Sequence, residues 1–516
     1  MSVTRQPEAS LASVRPHLLV KRLEALPDAE RAFVHIYGAS PNAFWLDSSA
    51  TGERGRFSFI GDDGGPLGSV VTYDIQAGQV RIARSGAVET RDESIFAYLE
   101  GELRRLRTAV TVGGQRFGAA LPFDFDCGFA GYLGYELKAE CGATAAHRSP
   151  APDAAFIRAG RLIAFDHRER VTYLIALVSP TPPELHQIPT PAGREFDAVR
   201  GWDSAERWIG MTERRLGALP PLEAPVVPPP DELRLRRSPQ RYRNDVAACK
   251  RYLRAGDSYE ICLTNKLVAG GAPDPLTLYR SLRRANPAPF SAFLRFGDIA
   301  VLSSSPERFL AVDREGRAEA RPIKGTSRRG ETGEEDARLA RALAADPKNR
   351  AENVTIVDLM RNDLGRVCEI GSVEVPELMR VETYETVHQL VSSIRGRLRP
   401  GVGAAEAIRA CFPPGSMTGA PKLRTMEIID ELEGEARGVY SGAIGYLGLG
   451  GGCDLSVAIR TIVLDGAAAT IGAGGAIVVD SDAERELEEM LLKAAAPAAA
   501  LAGDTSISFA PVAAPG

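Results

Sequence analysis

The sequence predicts an α+β fold of layered β-sheets with helices packed outside, and three features carry that prediction. Strand-like and helix-like runs do not alternate strictly, as a doubly wound parallel sheet would require. The front half is rich in short β-type runs separated by turn residues, whereas the back half mixes such runs with capped helical stretches. With 516 residues, 44% of them apolar and 25% charged, the chain has the composition of a soluble globular protein with a large core.

In the front half, 69–75, 79–83, 162–165 and 171–178 read as strands, and 94–106 reads as an amphipathic helix. A charged helical stretch over 203–215 runs into LGALPPLEAPVVPPPD, where the prolines predict a linker. The expected organisation is an N-terminal α+β subdomain over 11–216, a proline-rich linker over 217–231, a C-terminal domain over 232–500 and a flexible tail over 501–516. Beyond the linker, 238–255 reads as a helix, and 259–269, 292–296 and 299–303 read as strands. Thr332-Gly333-Glu334-Glu335 fits a capping box in which Thr332 and Glu335 satisfy each other's N–H groups, opening a helix towards Ala345. Helices are expected over 351–360, 404–410 and 423–432, strands over 442–447, 454–464 and 469–472, and a last helix from Ala483 to about Ala495.

A net charge of −5 gives no field that would recruit nucleic acid, and the densest basic run, Arg234 to Arg243, reads as a solvated linker face. No apolar segment reaches the roughly eighteen residues needed to cross a bilayer, and the first twenty residues lack a signal-peptide core, so neither membrane nor export is expected and the cytoplasm is. Seven scattered cysteines without C-x-x-C spacing argue against a disulfide framework and a structural zinc site. Of six histidines only His388 lies in the back half, which excludes a multi-histidine metal centre there.

Several residues could carry chemistry. Lys324 lies in Pro322-Ile323-Lys324-Gly325-Thr326, an apolar, turn-like stretch. A lysine attacks carbon only as a neutral amine, and burial favours that state by lowering its pKa, up to roughly 3–5 units. Taken alone, the stretch also fits an exposed lysine in a turn. Glu486, Glu489 and Lys493 are spaced to share one face of the last helix, which equally suits a solvated charged helix. The glycine-rich segment Ile471 to Gly475, read as a turn, lets backbone N–H groups approach an anion. Together these suggest a bound carboxylate with a bridging hard cation, for which Glu352 and Glu489 are candidate ligands. Arg460, in an apolar stretch, needs an anionic partner, either a ligand or an internal salt bridge. Glu307 ends an apolar strand, where burial would keep it protonated as a general acid or Arg308 would pair with it.

The segments GDSYEICLTNKL, SSSPERFL, RPIKGTSRRG, AENVTIVDLMRNDLGRVC, ETVHQLVSSIRG, FPPGSMTGAPKLRTMEIIDELE, GVYSGAIGYLG, DLSVAIRT and IGAGGAIVVDSDAERELEEMLLKA together resemble the chorismate-utilising enzymes. The match runs in one order through nearly all of 238–495, and FWLDSS, GRFSFIG and LPFDFDCGFAGYLGYELKAE extend it more sparsely into the front half. The resemblance implies the fold of anthranilate synthase component I. Within the family PIKGT is similar to the aminodeoxychorismate synthases, since anthranilate synthases usually carry alanine at the position of Lys324. Glu260 stands where water-activating relatives have a lysine base, which argues against a hydroxide nucleophile.

Carried over by position, the resemblance implies that Lys324 attacks C2 of chorismate while Glu307 protonates the departing C4 hydroxyl, after which ammonia adds at C4 and expels the lysine. It further implies Mg²⁺ on Glu352 and Glu489 with Glu486 beside them. Tyr440, Arg460, the backbone of Gly472, Ala473 and Gly474, and Lys493 would hold the carboxylates, with Thr326 and His388 lining the pocket. A dianionic substrate needs such cations and N–H groups, and a poor leaving group needs an acid. Trp45 to Ser48 occupy the place of the family's tryptophan pocket, with Ser48 as the residue to name, although ordinary core packing fits that segment as well. No G-x-C-x-G nucleophile turn is present, so a separate glutamine amidotransferase subunit or free ammonia is the expected nitrogen source. The expected product is 4-amino-4-deoxychorismate, for 4-aminobenzoate and folate or for aminated aromatic metabolites. The alternatives are C2 amination, as in anthranilate synthase component I, and a non-catalytic sensor of chorismate or tryptophan.

Overall fold

The computed structural model describes residues 17–49, 55–106, 109–112, 115–116, 121–178, 198–384 and 387–503. Two large β-sheets, one of fourteen strands and one of twelve, form the layers, and helices cover them. Adjacent side chains of one strand point to opposite faces, so Phe44 enters the core that joins the two sheets while Trp45 enters a second core. That second core packs the larger sheet against helices Ala29–Tyr37, Pro239–Ala255, Pro275–Ala285 and Ala483–Ala502.

Both halves of the sequence contribute to both sheets. Strand Asn42–Asp47 pairs antiparallel with Phe290–Phe296, and Gly128–Leu133 pairs with Ala443–Gly448. The proline-rich segment after helix Ala198–Leu216 therefore divides the sequence but neither sheet. It lies against helix Ala29–Tyr37, where Arg31 donates to the carbonyls of Leu219 and Pro220.

Several expected boundaries move. The 454–464 stretch is two strands, Cys453–Val457 in the smaller sheet and Thr461–Asp465 in the larger, because the chain turns at Arg460, whose φ is 50°. The glycine-rich stretch is not a turn: it belongs to strand Ala468–Ile477. Nor is the Lys324 stretch a turn, since Ile323–Arg328 is a strand, with an irregular register at Gly325 where φ is 98°. Helix Pro347–Gly365 is longer than expected, because Asp346 caps it by accepting from Asn349 N at 2.8 Å. Thr332 caps Gly333–Ala345 through Glu335 N, but Glu335 returns its bond to Glu331 N rather than to Thr332. The last helix passes the expected end near Ala495 and continues to Ala502 with Pro497 inside it, because Ala498 and Leu501 are fully buried. Of the expected tail, 504–516 lies outside the described residues. All seven cysteines are free thiols. Among the described residues no helix is long and apolar enough to cross a membrane.

Candidate active site

Two crossings between the sheets build one corner of the site. Ser305-Pro306-Glu307 carries the chain from strand Ile299–Ser305 of the larger sheet to Arg308–Val312 of the smaller, and Ala458-Ile459-Arg460 carries it back. The crossings are tied by Val457 N donating to Glu307 O at 3.0 Å and Ser304 N donating to Arg460 O at 3.2 Å. Glu307 and Arg460 are thus placed at the corner by backbone hydrogen bonds. Burial pushes the Glu307 carboxyl up to about 7, despite the opposing pull of Lys324 and Lys493. Among the described residues no carboxylate pairs with the Arg460 guanidinium, and burial lowers its pKa. A half-buried arginine without an anion keeps charge that a ligand carboxylate at this corner can pair with.

Lys324 faces this corner from the smaller sheet. Its Nζ donates to Glu260 Oε1 at 2.7 Å, and Glu260 lies on strand Glu260–Ala269 of the larger sheet, so the pair bridges the two layers. Both side chains are buried, and Glu260 Oε2 has no hydrogen-bond partner. The free site does not hold Lys324 as the uncharged amine expected from burial. Desolvation pulls its pKa down, but the carboxylates of Glu260 and Glu352 outweigh it and hold the ammonium above the ordinary lysine range. An attack through Nζ must therefore begin by moving a proton.

A second cluster lies where helices Pro347–Gly365 and Ala483–Ala502 bring Glu352, Glu486 and Glu489 around one cation, the ammonium of Lys348. Its Nζ lies 3.0 Å from Glu486 Oε1, 3.8 Å from Glu352 Oε1 and 3.9 Å from Glu489 Oε2. Ser481 Oγ donates to Glu486 Oε1 at 2.6 Å, while Glu486 Oε2 is buried without a partner. Among the described residues no group of three or more His, Cys, Asp or Glu is close enough to hold a metal by itself. The convergence of three carboxylates on one ammonium, with a buried oxygen still unsatisfied, nonetheless fits a hard cation completed by substrate oxygens. Lys348 escaped the sequence reading, although its i,i+4 spacing to Glu352 could have revealed it.

The remaining expected residues divide. Lys493 binds Glu489 Oε1 at 2.7 Å and Gly474 O at 3.0 Å, which locks the helix to the glycine strand. On that strand, pairing with Thr461–Asp465 stops at Ile471, so one edge of Gly472 to Ile477 has no strand partner among the described residues. Gly472 is required by packing, since a Cβ there would lie 2.1 Å from Cγ of the buried Tyr440 ring. At Gly475 a Cβ would meet Glu486 Oε2 at 3.3 Å and Glu489 Oε1 at 3.4 Å, so glycine makes room beside the carboxylates. Ala473 is buried within the strand. Thr326 is exposed. His388 is buried with both ring nitrogens engaged, Nδ1 with Thr383 Oγ1 at 2.9 Å and Nε2 with Asp336 Oδ1 at 2.8 Å. Ser48 lies away from these groups, and its hydroxyl donates to Phe57 O at 2.7 Å. Beside it, Trp45 is fully buried and stacks on Phe33 with ring centroids 5.3 Å apart.

Comparison with known proteins gives the chain's family. Residues 62–499 fit the family model described as chorismate binding enzyme. The chain is 48% identical to an aminodeoxychorismate synthase of Streptomyces pristinaespiralis over 94% of its own length, but spans only 65% of that relative. It is 35% identical to anthranilate synthase component 1 of Pseudomonas putida, covering 90% of this chain and 92% of the relative. The solved structure of anthranilate synthase component I from Streptococcus pneumoniae TIGR4 superposes with a TM-score of 0.67 at 28% identity, covering 86% of this chain and 92% of that one. The chain belongs to the chorismate-binding enzyme family.

Proposed function

We propose that this chain aminates chorismate at C4 to give 4-amino-4-deoxychorismate. The observation that carries the reading is the buried Lys324–Glu260 pair beside a glutamate that burial keeps protonatable near neutral pH. It is supported by the 48% identity to relatives named aminodeoxychorismate synthase.

In the first half-reaction Glu260 takes a proton from Lys324, and the freed Nζ forms a bond to C2 as the ring double bonds shift. The C4–O bond breaks, and Glu307 gives its proton to the departing hydroxyl, which leaves as water. In the second, ammonia bonds to C4, the C2–N bond breaks and the lysine leaves as a neutral amine. Glu260 returns the proton to Nζ, and the new C4 ammonium gives a proton to Glu307. Both carboxyl groups end as they began. Arg460 neutralises a substrate carboxylate, and Lys493 and the free edge of the glycine strand offer further positive charge and N–H groups to the substrate. Glu352 and Glu489, with Glu486 beside them, would hold Mg²⁺, which would supply positive charge to a substrate carboxylate.

Ammonia is proposed to come from glutamine through a separate amidotransferase subunit, in keeping with relatives named component 1. The purified chain given chorismate, Mg²⁺ and ammonium salt should form 4-amino-4-deoxychorismate, resolved by mass and by conversion to 4-aminobenzoate. Formation of anthranilate, or no turnover of chorismate, would overturn the reading.

A further inference from the structure

The three carboxylates that face each other across helices Pro347–Gly365 and Ala483–Ala502 are partly or fully removed from water, and like charges so placed repel unless a cation stands between them. Lys348 Nζ is the cation that reaches all three. It reaches one carboxylate oxygen of each: Glu486 at 3.0 Å, Glu352 at 3.8 Å and Glu489 at 3.9 Å. Its stem starts one turn before Glu352, so a change of rotamer can carry the ammonium to solvent without moving the helix. The side chain is 44% exposed, which leaves that exit open.

We propose that Lys348 is a tethered stand-in for the metal, holding the carboxylates together in the metal-free protein and yielding its place to Mg²⁺. The inference rests on the metal assignment of the preceding section and adds to it a competing group. A lysine in the site serves two ends: it stabilises the free fold, and it weakens metal binding because the incoming dication must first displace an ammonium. Lys493, the neighbouring lysine, does not share this role, because its ammonium is held by the Gly474 carbonyl and by the other oxygen of Glu489.

The test measures metal binding directly. Mn²⁺ would serve as the probe, titrated into the full chain without substrate and followed by electron paramagnetic resonance of the free ion, with Mg²⁺ as competitor. Lys348→Met should bind Mn²⁺ about five- to tenfold more tightly than the wild type and melt at a lower temperature without metal, whereas Lys348→Arg, which keeps the charge, should resemble the wild type. Affinity unchanged or weakened in Lys348→Met overturns the proposal. A second measurement uses the wild type alone. Mg²⁺ should raise acetylation of Lys348 several-fold in peptide maps, because displacement frees the ammonium from its three carboxylates, and unchanged labelling in saturating Mg²⁺ also overturns the proposal. If the wild type binds neither ion and Glu489→Gln changes nothing, the metal assignment fails with it. If metal binds and Lys348 has no effect, only the stand-in fails.

Discussion

Two buried ionic clusters sit side by side on strand Glu260–Ala269, and they differ in how completely their charges are satisfied. Arg437 donates to Glu433 through two bonds, at 2.7 and 2.8 Å, and to the carbonyls of Met417 and Cys262, while Glu433 also accepts from the N–H and hydroxyl of Thr264. That cluster is closed: both charges are paired and the spare positions of each are filled by protein. Four residues along the strand from Thr264, Glu260 meets Lys324 with one oxygen and leaves the other bare, Glu486 likewise keeps a buried oxygen without a partner, and Arg460 has no carboxylate to pair with among the described residues. Burial is common to both. What separates a structural ion pair from a binding site here is the unfilled hydrogen-bonding capacity, which a ligand can complete.

The largest effect should come from removing the nucleophile. Lys324→Ala leaves Glu260 unpaired and the site without an attacking amine, so C4 amination should fall by ~10³-fold or more, with no protein-bound adduct in intact-mass spectra after mixing with chorismate. Retention of wild-type turnover would mean that ammonia attacks unaided.

Next is the acid. Burial holds the Glu307 carboxyl near 7, so its proton is present below that pH and is lost above it. Amination should therefore decline on the alkaline side, with a midpoint close to 7 if that proton is needed. Glu307→Gln should lower the rate about 10²–10⁴-fold and remove this limb from the pH–rate profile. A limb that survives in the variant belongs to another group.

The two arginines give the sharpest form of the contrast. Arg437→Met strands Glu433 in the core and should cost about 3–5 kcal/mol in urea unfolding. Arg460→Met removes a charge that no protein carboxylate compensates, so the fold should change by less than about 1 kcal/mol while chorismate binding weakens by about 2–5 kcal/mol. Unfolding curves and KM on the same two proteins decide it, and equal destabilisation by both would erase the distinction between closed and open clusters.

How much of this could be read from sequence depends on the range of the interaction. Helical spacing placed Glu486, Glu489 and Lys493 on one face, and Lys493 does bind Glu489 one turn away. Local pattern also marked Arg460 as an arginine in need of an anion. It could not show the crossing at Arg460, because 454–464 is β-type throughout and no glycine announces the left-handed turn. The ionisation of Lys324 was equally hidden, since its carboxylate partner lies 64 residues earlier in the other sheet. Periodicity likewise could not tell a glycine-rich turn from a glycine-rich strand, for Gly472 is required by the Tyr440 ring and Gly475 packs close against the carboxylates, all contributed from distant segments.

The smallest expected effect lies in the middle of the larger sheet, where the segment 45–48 suits either packing or a tryptophan pocket. Ser48 Oγ already donates to Phe57 O, and its backbone N–H donates to Ser58 Oγ at 3.1 Å, so the residue joins two neighbouring strands. Ser48→Ala deletes only the first of these bonds and should lower stability by about 0.5–1.5 kcal/mol, leaving C4 amination unchanged. Calorimetric titration of tryptophan into both proteins separates the two roles, because packing alone predicts identical heats. Binding to the wild type that the alanine variant abolishes would make this corner an open cluster too, and would move Ser48 from the fold's account to the ligand's.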